Sequence, residues 1–494
     1  MATAVPTTTA SPGAPAESPA WRRLTLVWIL VALVLFPILA LLGVLMRLSQ
    51  ADLLPDLPPE WFYAVMTLHG LGMVGLWYVA GMAGLSYLLL RYVRPTLGVS
   101  KLALAGTLLG VVILIVCTLV GKLGVGWYFL YPLPFHPGGT WPQWSIAAFF
   151  VALGILGVSW AIWAADVLWA IARRYSLGTA LAWHYLRGKT GPEVPPIIVI
   201  STVSLIGVLA GLVAAVVILV LLAIERLGSG GFTNDALLLK NLTFYFGHML
   251  VNITMYYGVA IVYELMPAYG ERPWKTNRLV ALAWNAVLFL VMFAYFHHLY
   301  MDFVQPRWLQ FVGQVSSYLI SVPAAVVTIF SALVLVYGAR MRWTLASLLL
   351  YLGVMGWAIG GVAAVIDSTV SVNFRFHNTL WVPAHFHSYY LMGVVLMILG
   401  FAYHFCQESA RLPERPGLTR LIVALLVLGG YGFLLAFYLG GAASVPRRFA
   451  TYPAEVARGV TYARSALAFI ALLLVGALLY IWETGRRCLR ALSA

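Results

Sequence analysis

Six histidines lie at four places within segments that otherwise consist of apolar residues. They are His69, His248, the adjacent pair His297 and His298, and the closely spaced pair His385 and His387. A histidine in the hydrocarbon region of a membrane is costly unless it is paired or coordinated, so it marks a functional site. Neutral imidazole is the commonest protein ligand for heme iron and copper. The pattern predicts a redox centre of several metals inside a helical membrane protein.

The spacing of His385 and His387 indicates two separate cofactors. Residues i and i+2 of an α-helix point about 200° apart, so the two imidazoles leave nearly opposite faces. One metal could not easily take both, whereas two cofactors flanking the helix could each take one. Phe386 would then lie between them.

The other four histidines supply the remaining ligands. His297 and His298 point about 100° apart on an α-helix, so they can share one ion only where the backbone yields locally. His248 is the natural third ligand, and three histidines with an open position suit a reactive copper or iron. His69 is the candidate second axial ligand of a heme that is held by His387.

The composition is that of a polytopic membrane protein. The 494 residues are 62% hydrophobic and only 9% charged, and the mean hydropathy is +0.92. Long apolar runs of this kind predict an all-α protein whose helices span a membrane. The net charge of +14 comes from basic residues in the loops between the runs, which indicates contact with anionic lipid rather than with nucleic acid.

Twelve apolar segments are each long enough to span a bilayer, which needs about 20 residues. Their approximate cores are 24–46, 62–90, 102–122, 145–171, 197–224, 242–266, 279–300, 308–337, 343–366, 379–405, 419–440 and 461–483. Residues 1–20 are rich in Ala, Pro, Thr and Ser and predict a disordered tail, and residues 21–494 predict one membrane domain.

Basic residues predict that both termini are cytoplasmic. The expected location is the inner membrane of a bacterial or archaeal cell. Twenty of the 30 Lys and Arg residues fall on the side of the N-terminus: Arg22, Arg23, Arg91, Arg94, Lys101, Arg173, Arg174, Arg187, Lys189, Arg272, Lys275, Arg278, Arg340, Arg342, Arg411, Arg415, Arg420, Arg486, Arg487 and Arg490. The outer segment 126–144 has no Lys or Arg and many aromatic residues, so it could cap a buried cofactor.

Scattered cysteines indicate that electrons come from another protein. Cys117, Cys406 and Cys488 form no CxxC or CxxxC pair, so the chain offers no iron–sulfur, heme c or dinuclear copper motif.

With these residues in place, the chain resembles the catalytic subunit I of the heme-copper oxidase superfamily, and its motifs HNTLWVPAHFH and VPRR most resemble the B family. The resemblance implies two hemes, of a or b type, and one copper, called CuB. By motif, His69 and His387 would hold the low-spin heme, and His385 the high-spin heme. The copper ligands would be His248, His297 and His298. Arg447 and Arg448 would pair with heme propionates, which a guanidinium fork suits.

One departure from that resemblance concerns the active-site tyrosine. A- and B-family oxygen reductases carry it four residues after the first copper histidine, on the same helix face. This chain has Asn252 there, and Val291 stands at the C-family place. Nearby tyrosines occupy neither place: Tyr245, Tyr256, Tyr257 and Tyr295.

The absence of a tyrosine at either of these places favours nitric oxide as the substrate. Splitting O2 in one step takes four electrons, of which the tyrosine normally supplies one, and asparagine has neither an oxidisable phenol nor a titratable proton. Coupling two NO molecules takes only two electrons. The better-known nitric oxide reductases use non-heme iron with an added glutamate, but the nearest acid on this segment, Glu264, is 16 residues after His248, or about 24 Å. We therefore expect copper rather than iron, and Asn252 could donate a hydrogen bond to bound substrate.

Two alternatives stay open. The same hemes and copper could reduce O2 with a different tyrosine, so that the chain would act as a cytochrome c oxidase. Alternatively, the chain could be a heme-binding transporter or sensor. The expected electron donor is a cupredoxin-bearing subunit or a cytochrome c on the outer face.

Proton supply and pumping are less determined by the sequence. Tyr263, Glu264 and Thr328 are candidates for a proton path, with interface residues an equal alternative. Asn373 stands where the B family has an acid near the propionates, and Asp367 could compensate.

Overall fold

The computed structural model describes residues 18–228 and 231–493. Within them, twelve helices are long and apolar enough to cross a membrane, which confirms the predicted all-α polytopic fold. They are α1 Pro19–Gln50, α2 Pro59–Leu89, α3 Leu97–Val120, α4 Gln143–Tyr175, α5 Pro196–Leu227, α6 Ala236–Gly270, α7 Arg278–Leu299, α8 Trp308–Val336, α9 Leu345–Asp367, α10 Trp381–Ala410, α11 Pro416–Ala442 and α12 Arg458–Ser493.

Every predicted apolar segment overlaps one of these helices. Four helices begin with proline, whose fixed φ and missing N–H suit the first turn: Pro19, Pro59, Pro196 and Pro416. Thr344 and Ser347 form a reciprocal capping box at the start of α9. Residues 1–17 of the predicted tail lie outside the described residues, and α1 begins at Pro19.

Burial separates the central helices from the outer ones. The most apolar windows of α6 and α10 are each 89% buried and that of α2 is 72% buried, whereas those of the other nine lie between 22% and 44%. The three central helices carry four of the six histidines. Outer helices expose large apolar side chains, such as Val151, Val213 and Leu428, as expected of a surface that contacts lipid.

Two departures from the α-helix occur beside the histidines. The last residues of α7, Tyr295–Leu299, tighten into a 3₁₀-helix, and Tyr390–Val395 of α10 widen into a π-helical turn. Such turns inside long helices are frequent at functional sites. Both reposition side chains that point into the centre of the bundle.

A short bridge holds the VPRR segment at the N-terminal end of α10. Thr379 and Pro446 form an isolated antiparallel bridge, and the Leu380 amide donates to the Val445 carbonyl over 2.9 Å. This pairing places Arg447 and Arg448 next to the N-terminal end of the helix that carries His385 and His387.

Candidate metal centre

Three histidines from two helices converge at one point. The available ligand atoms of His248, His297 and His298 all lie within 4.8 Å of one another. The ring centroids of His297 and His298 are 4.1 Å apart, and that of His248 is 5.3 Å and 5.6 Å from them. The backbone yields where the sequence required it, because both adjacent histidines lie in the 3₁₀ turn that ends α7.

A serine fixes the orientation of the His297 ring. Ser317 of α8 donates its hydroxyl proton to the Gly313 carbonyl over 2.6 Å, so toward His297 Nδ1, 2.9 Å away, it accepts. The proton of His297 therefore lies on Nδ1 and leaves Nε2 free as a ligand. Partners of this kind orient metal ligands and tune them.

His248 offers its other nitrogen. Its Nδ1 is buried and finds no hydrogen-bond partner among the described residues, which is the condition expected of a nitrogen that awaits a metal. Its Nε2 lies 3.3 Å from Nδ2 of Asn252, and that Nδ2 also donates to the His248 carbonyl over 2.8 Å.

Backbone carbonyls set the tautomers of the other three histidines. Nδ1 of His69 lies 2.8 Å from the Leu39 carbonyl of α1, that of His387 lies 2.7 Å from the Pro383 carbonyl, and that of His385 lies 3.2 Å from the Gly360 carbonyl of α9. A carbonyl oxygen only accepts, so each Nδ1 carries the proton and each Nε2 presents a lone pair. In all three rings Nε2 is therefore free to coordinate a metal.

One cavity of about 780 Å³ joins all six histidines. Its lining also contains Arg447 and Arg448, and Trp127 and Tyr128 of the aromatic outer segment. Arg447 donates to Asn378 Oδ1 over 2.9 Å and to the Tyr128 hydroxyl over 3.0 Å, and the Arg448 guanidinium lies 4.2 Å from the centre of the Tyr128 ring. Trp127 and Tyr128 thus lie beside both arginines where the cavity meets the N-terminal end of α10.

Further polar groups face the outer end of the cavity. Asp367 and Asn373 both line it, and the Oδ1 of each is buried without a hydrogen-bond partner among the described residues. Asn373 Nδ2 donates to the Asp367 backbone carbonyl over 2.7 Å, so the predicted pair is adjacent. Burial, together with the positive charges of Arg447 and Lys240, lowers the pKa of His377 to about 4.

A residue that sequence reasoning missed lies against Asn252. The hydroxyl of Tyr389, on α10, donates to Oδ1 of Asn252 over 2.8 Å, and Tyr389 lines the cavity. Its position four residues after His385 places it on the face of α10 that carries this histidine, one turn on. That spacing was the available signal, but only the packing of α6 against α10 shows that the two side chains meet.

The predicted proton-path residues divide into two groups. The Tyr263 hydroxyl donates to the Val327 carbonyl over 2.6 Å and lies 3.2 Å from Thr328 Oγ1, so these two candidates are in contact. Glu264 instead forms an ion pair with Arg91, 2.8 Å apart, and accepts from the Tyr92 hydroxyl.

Comparison with known proteins shows the family to which this chain belongs. Residues 23–479 match the family model described as Cytochrome C and Quinol oxidase polypeptide I. The chain belongs to this family. It is therefore an integral membrane subunit of the heme-copper oxidase type, an oxidoreductase family that implies hemes and copper.

Curated relatives are similar along most of their length. Cytochrome c oxidase subunit 1 of Synechocystis sp. is 26% identical over 426 residues, which are 83% of this chain and 74% of the relative. A probable cytochrome c oxidase subunit 1 of Bradyrhizobium diazoefficiens is 25% identical over 94% of this chain and 69% of the relative. Cytochrome c oxidase subunit 1 of Thermus thermophilus is 25% identical over 85% of this chain and 75% of the relative.

A solved structure shares the fold. A heme-copper terminal oxidase dimer determined by cryo-EM superimposes with a TM-score of 0.73 over 96% of this chain and 84% of that chain, at 18% sequence identity. At 18% sequence identity this comparison supports a shared fold only.

The donor set fits the groups that the family implies. Four imidazoles have Nδ1 protonated and Nε2 free, and a fifth, that of His248, has a buried Nδ1 with no hydrogen-bond partner among the described residues. Gly43 leaves room for the His69 ring, since a Cβ there would be 2.8 Å from its Cε1. Arg47 also lines the cavity, and its Nη1 has no partner among the described residues.

Proposed function

We propose that this chain is the catalytic subunit of a respiratory nitric oxide reductase. The reaction is 2 NO + 2 electrons + 2 protons giving N2O and water. His69 and His387 hold a low-spin heme, His385 holds a high-spin heme, and a copper ion occupies the trio. When bound, these groups carry the electrons, and Arg447 and Arg448 neutralise the heme propionates from the outer side.

The proposal rests on the presence of Asn252 at the position of the active-site tyrosine. It stands one turn after His248, where a phenol would give an oxygen reductase its fourth electron. Its amide is engaged at both ends, through Nδ2 with His248 and through Oδ1 with Tyr389. With Nδ1 of His248 as the ligand atom, Nε2 carries the ring proton and cannot accept from an amide nitrogen. One N–H of Asn252 is therefore held by the His248 backbone carbonyl, the amide packs against the ring 3.3 Å from Nε2, and the second N–H is available to donate to bound substrate. A two-electron reaction needs no oxidisable side chain at this place.

Copper suits the trio better than non-heme iron. The carboxylate that an iron site of this kind would add is missing from the group, because Val251 and Asn252 follow His248 on its helix and Glu264 pairs with Arg91. Among the described residues the trio consists of imidazoles alone. Imidazole ligands with an open position suit copper.

The electrons come from a partner on the outer side of the membrane. The arginine pair and the aromatic segment line the end of the cavity that we assign to the outer side, and the sequence has no further metal-binding motif beyond the histidines. We propose a cupredoxin-bearing subunit or a cytochrome c as donor, with both termini of this chain in the cytoplasm of a bacterial or archaeal cell. Tyr263 and Thr328 are the proposed start of proton supply.

Tyr389 favours a second candidate function, the reduction of O2 to water as in a cytochrome c oxidase. Its phenol lies one hydrogen bond from Asn252, so a different tyrosine is available near the trio. A transporter or sensor is the third alternative, and it would not require three converging histidines beside a heme ligand.

Product analysis tests the proposal. The purified, reduced complex is supplied with isotopically labelled NO, and N2O and consumed electrons are counted. The proposal requires one N2O for two NO and two electrons, and about one copper per chain by elemental analysis. A complex with no copper supports the transporter or sensor, and a complex with copper that forms no N2O supports the oxidase.

A further inference from the structure

One hydrogen bond links the two halves of the catalytic pocket. Tyr389 belongs to α10, like His385, and donates to Asn252 of α6. Asn252 in turn donates to the backbone carbonyl of His248 and lies 3.3 Å from Nε2 of its ring. The orientation of the Asn252 amide is unambiguous, because its Nδ2 faces the His248 carbonyl and its Oδ1 must therefore accept from the phenol. Two side chains, Tyr389 and Asn252, thus lie between the proposed high-spin heme ligand and a proposed copper ligand.

Helix α9 holds the other side of Tyr389 and His385. The Gly360 carbonyl lies 3.2 Å from His385 Nδ1. A Cβ at Gly360 would be 2.7 Å from both the Cα and the backbone nitrogen of Tyr389, so the two helices are in backbone contact there. The backbone of Tyr389 is fixed by α9, and its hydroxyl reaches across to α6.

We propose that Tyr389 is a positioning residue that, through Asn252, sets the gap between His385 and the trio. Substrate must fit in this gap, so the Tyr389–Asn252 bond determines how well two small molecules are held side by side. The substrate's identity rests on the proposed function, whereas the positioning role does not. Removing the hydroxyl releases the Asn252 amide, whose Nδ2 packs 3.3 Å from Nε2 of His248, and so gives the His248 ring more than one orientation.

Carbon monoxide serves as the probe because it needs no turnover. The native holoenzyme, reduced and exposed to carbon monoxide, is expected to give one narrow infrared C–O stretching band, and Tyr389→Phe is expected to split or broaden it. The matched control is Tyr390→Phe, whose hydroxyl donates to the Val74 carbonyl over 2.9 Å and which must keep the native band. Heme and copper contents should be native in both variants.

Kinetics add a second readout. Loss of one neutral hydrogen bond is expected to raise KM for NO about threefold to tenfold in Tyr389→Phe, with kcat changed less. In an Asn252→Ala background, Tyr389→Phe should have no further effect on the band or on KM, because Tyr389 acts through Asn252. If Tyr389→Phe does not accumulate, Asn252→Ala alone breaks the same bond and must split the band.

Three results would overturn the inference. They are a native band and native KM in Tyr389→Phe, an equal splitting in the Tyr390→Phe control, and a full effect of Tyr389→Phe in the Asn252→Ala background. Failure of the proposed function has a different signature, since an enzyme that makes no N2O can still show the split carbon monoxide band.

Discussion

Ser317 accepts a hydrogen bond from Nδ1 of His297 because its own proton is donated to the Gly313 carbonyl. This relay joins α8 to the end of α7 and leaves Nε2 of His297 directed at the trio. Gly313 makes the approach possible, since a Cβ there would lie 2.9 Å from Cβ of Phe296 and 3.0 Å from the His297 nitrogen. The outer turn of α7 is thus held by the neighbouring helix rather than by its own hydrogen bonds alone.

Ser317→Ala is expected to weaken copper binding about 10- to 100-fold, the usual effect of removing the partner of a metal ligand. Copper retained after dialysis against a graded series of chelator concentrations measures this change. Ser321→Ala is the matched control, because its hydroxyl donates to the Ser317 carbonyl and touches no histidine nitrogen. Equal copper retention in the two variants would contradict the role assigned to Ser317.

Gly360→Ala and Gly154→Ala should behave in opposite ways. At Gly360 a methyl group meets the backbone of Tyr389, and overpacking of this kind costs about 1–3 kcal/mol. At Gly154, on α4 and outside the cavity lining, no atom of the described residues lies within 4 Å of the added Cβ, so alanine is expected to stabilise the helix by about 0.5–1 kcal/mol. Thermal unfolding in detergent compares the two.

The optical spectrum of the reduced protein provides the second readout for these glycines. Gly360→Ala should perturb the high-spin heme, because the Gly360 carbonyl accepts from His385, whereas Gly154→Ala, outside the cavity, should leave the spectrum native. Identical spectra and unfolding midpoints in the two variants would show that the α9–α10 contact has no influence on the site.

Arg447→Gln is expected to lower the midpoint potential of a heme by tens of millivolts, where a tenfold change in a one-electron equilibrium corresponds to about 59 mV. A positive charge at the propionates favours the reduced state, and glutamine removes it. Spectroelectrochemical titration measures the potential. Arg464→Gln, whose arginine donates to the Ala51 carbonyl away from the cavity, serves as control, and an equal shift there would refute the assignment of Arg447.

Acid is expected to destabilise the outer end of the protein through His377. Its folded-state pKa of about 4 lies below the ordinary value of 6.5, so the unfolded chain binds more protons between these values. The contribution of His377 to stability is complete above pH 6.5 and is lost as the pH falls toward 4. His377→Gln should therefore show a smaller decrease of the unfolding midpoint from pH 7 to pH 5.

The control for this pH experiment is His136→Gln, in the exposed part of the outer segment. It should keep the native decrease. A native decrease in His377→Gln as well would mean that other groups cause the acid sensitivity.

Much of the fold could be predicted from composition alone, because twelve apolar runs must each form a helix in a membrane. The six histidines could also be found, since the spacing of His385 and His387 and the adjacency of His297 and His298 constrain their faces. The local change at the end of α7 followed from the same adjacency.

Contacts between helices could not be predicted from periodicity. Residue spacing gives the face on which a side chain lies but not the helix that it meets, so the Tyr389–Asn252 bond, between residues 137 apart in the chain, stayed hidden. The carbonyls of Leu39 and Gly360, which fix the tautomers of His69 and His385, are likewise supplied by other helices. The sequence offers Glu264 as a proton-path candidate or an interface residue, and its ion-pair partner Arg91 lies 173 residues away in the chain.

The rates with NO and with O2 test most directly whether Asn252 identifies this protein as a nitric oxide reductase. One preparation of the reduced holoenzyme is given NO and, separately, O2, and N2O formation and O2 uptake are followed with the same electron donor. We expect N2O formation to be at least about tenfold faster, per electron consumed, than O2 uptake, which corresponds to a difference of about 1.4 kcal/mol in activation free energy. Rapid four-electron reduction of O2 to water, with little N2O from NO, would contradict it.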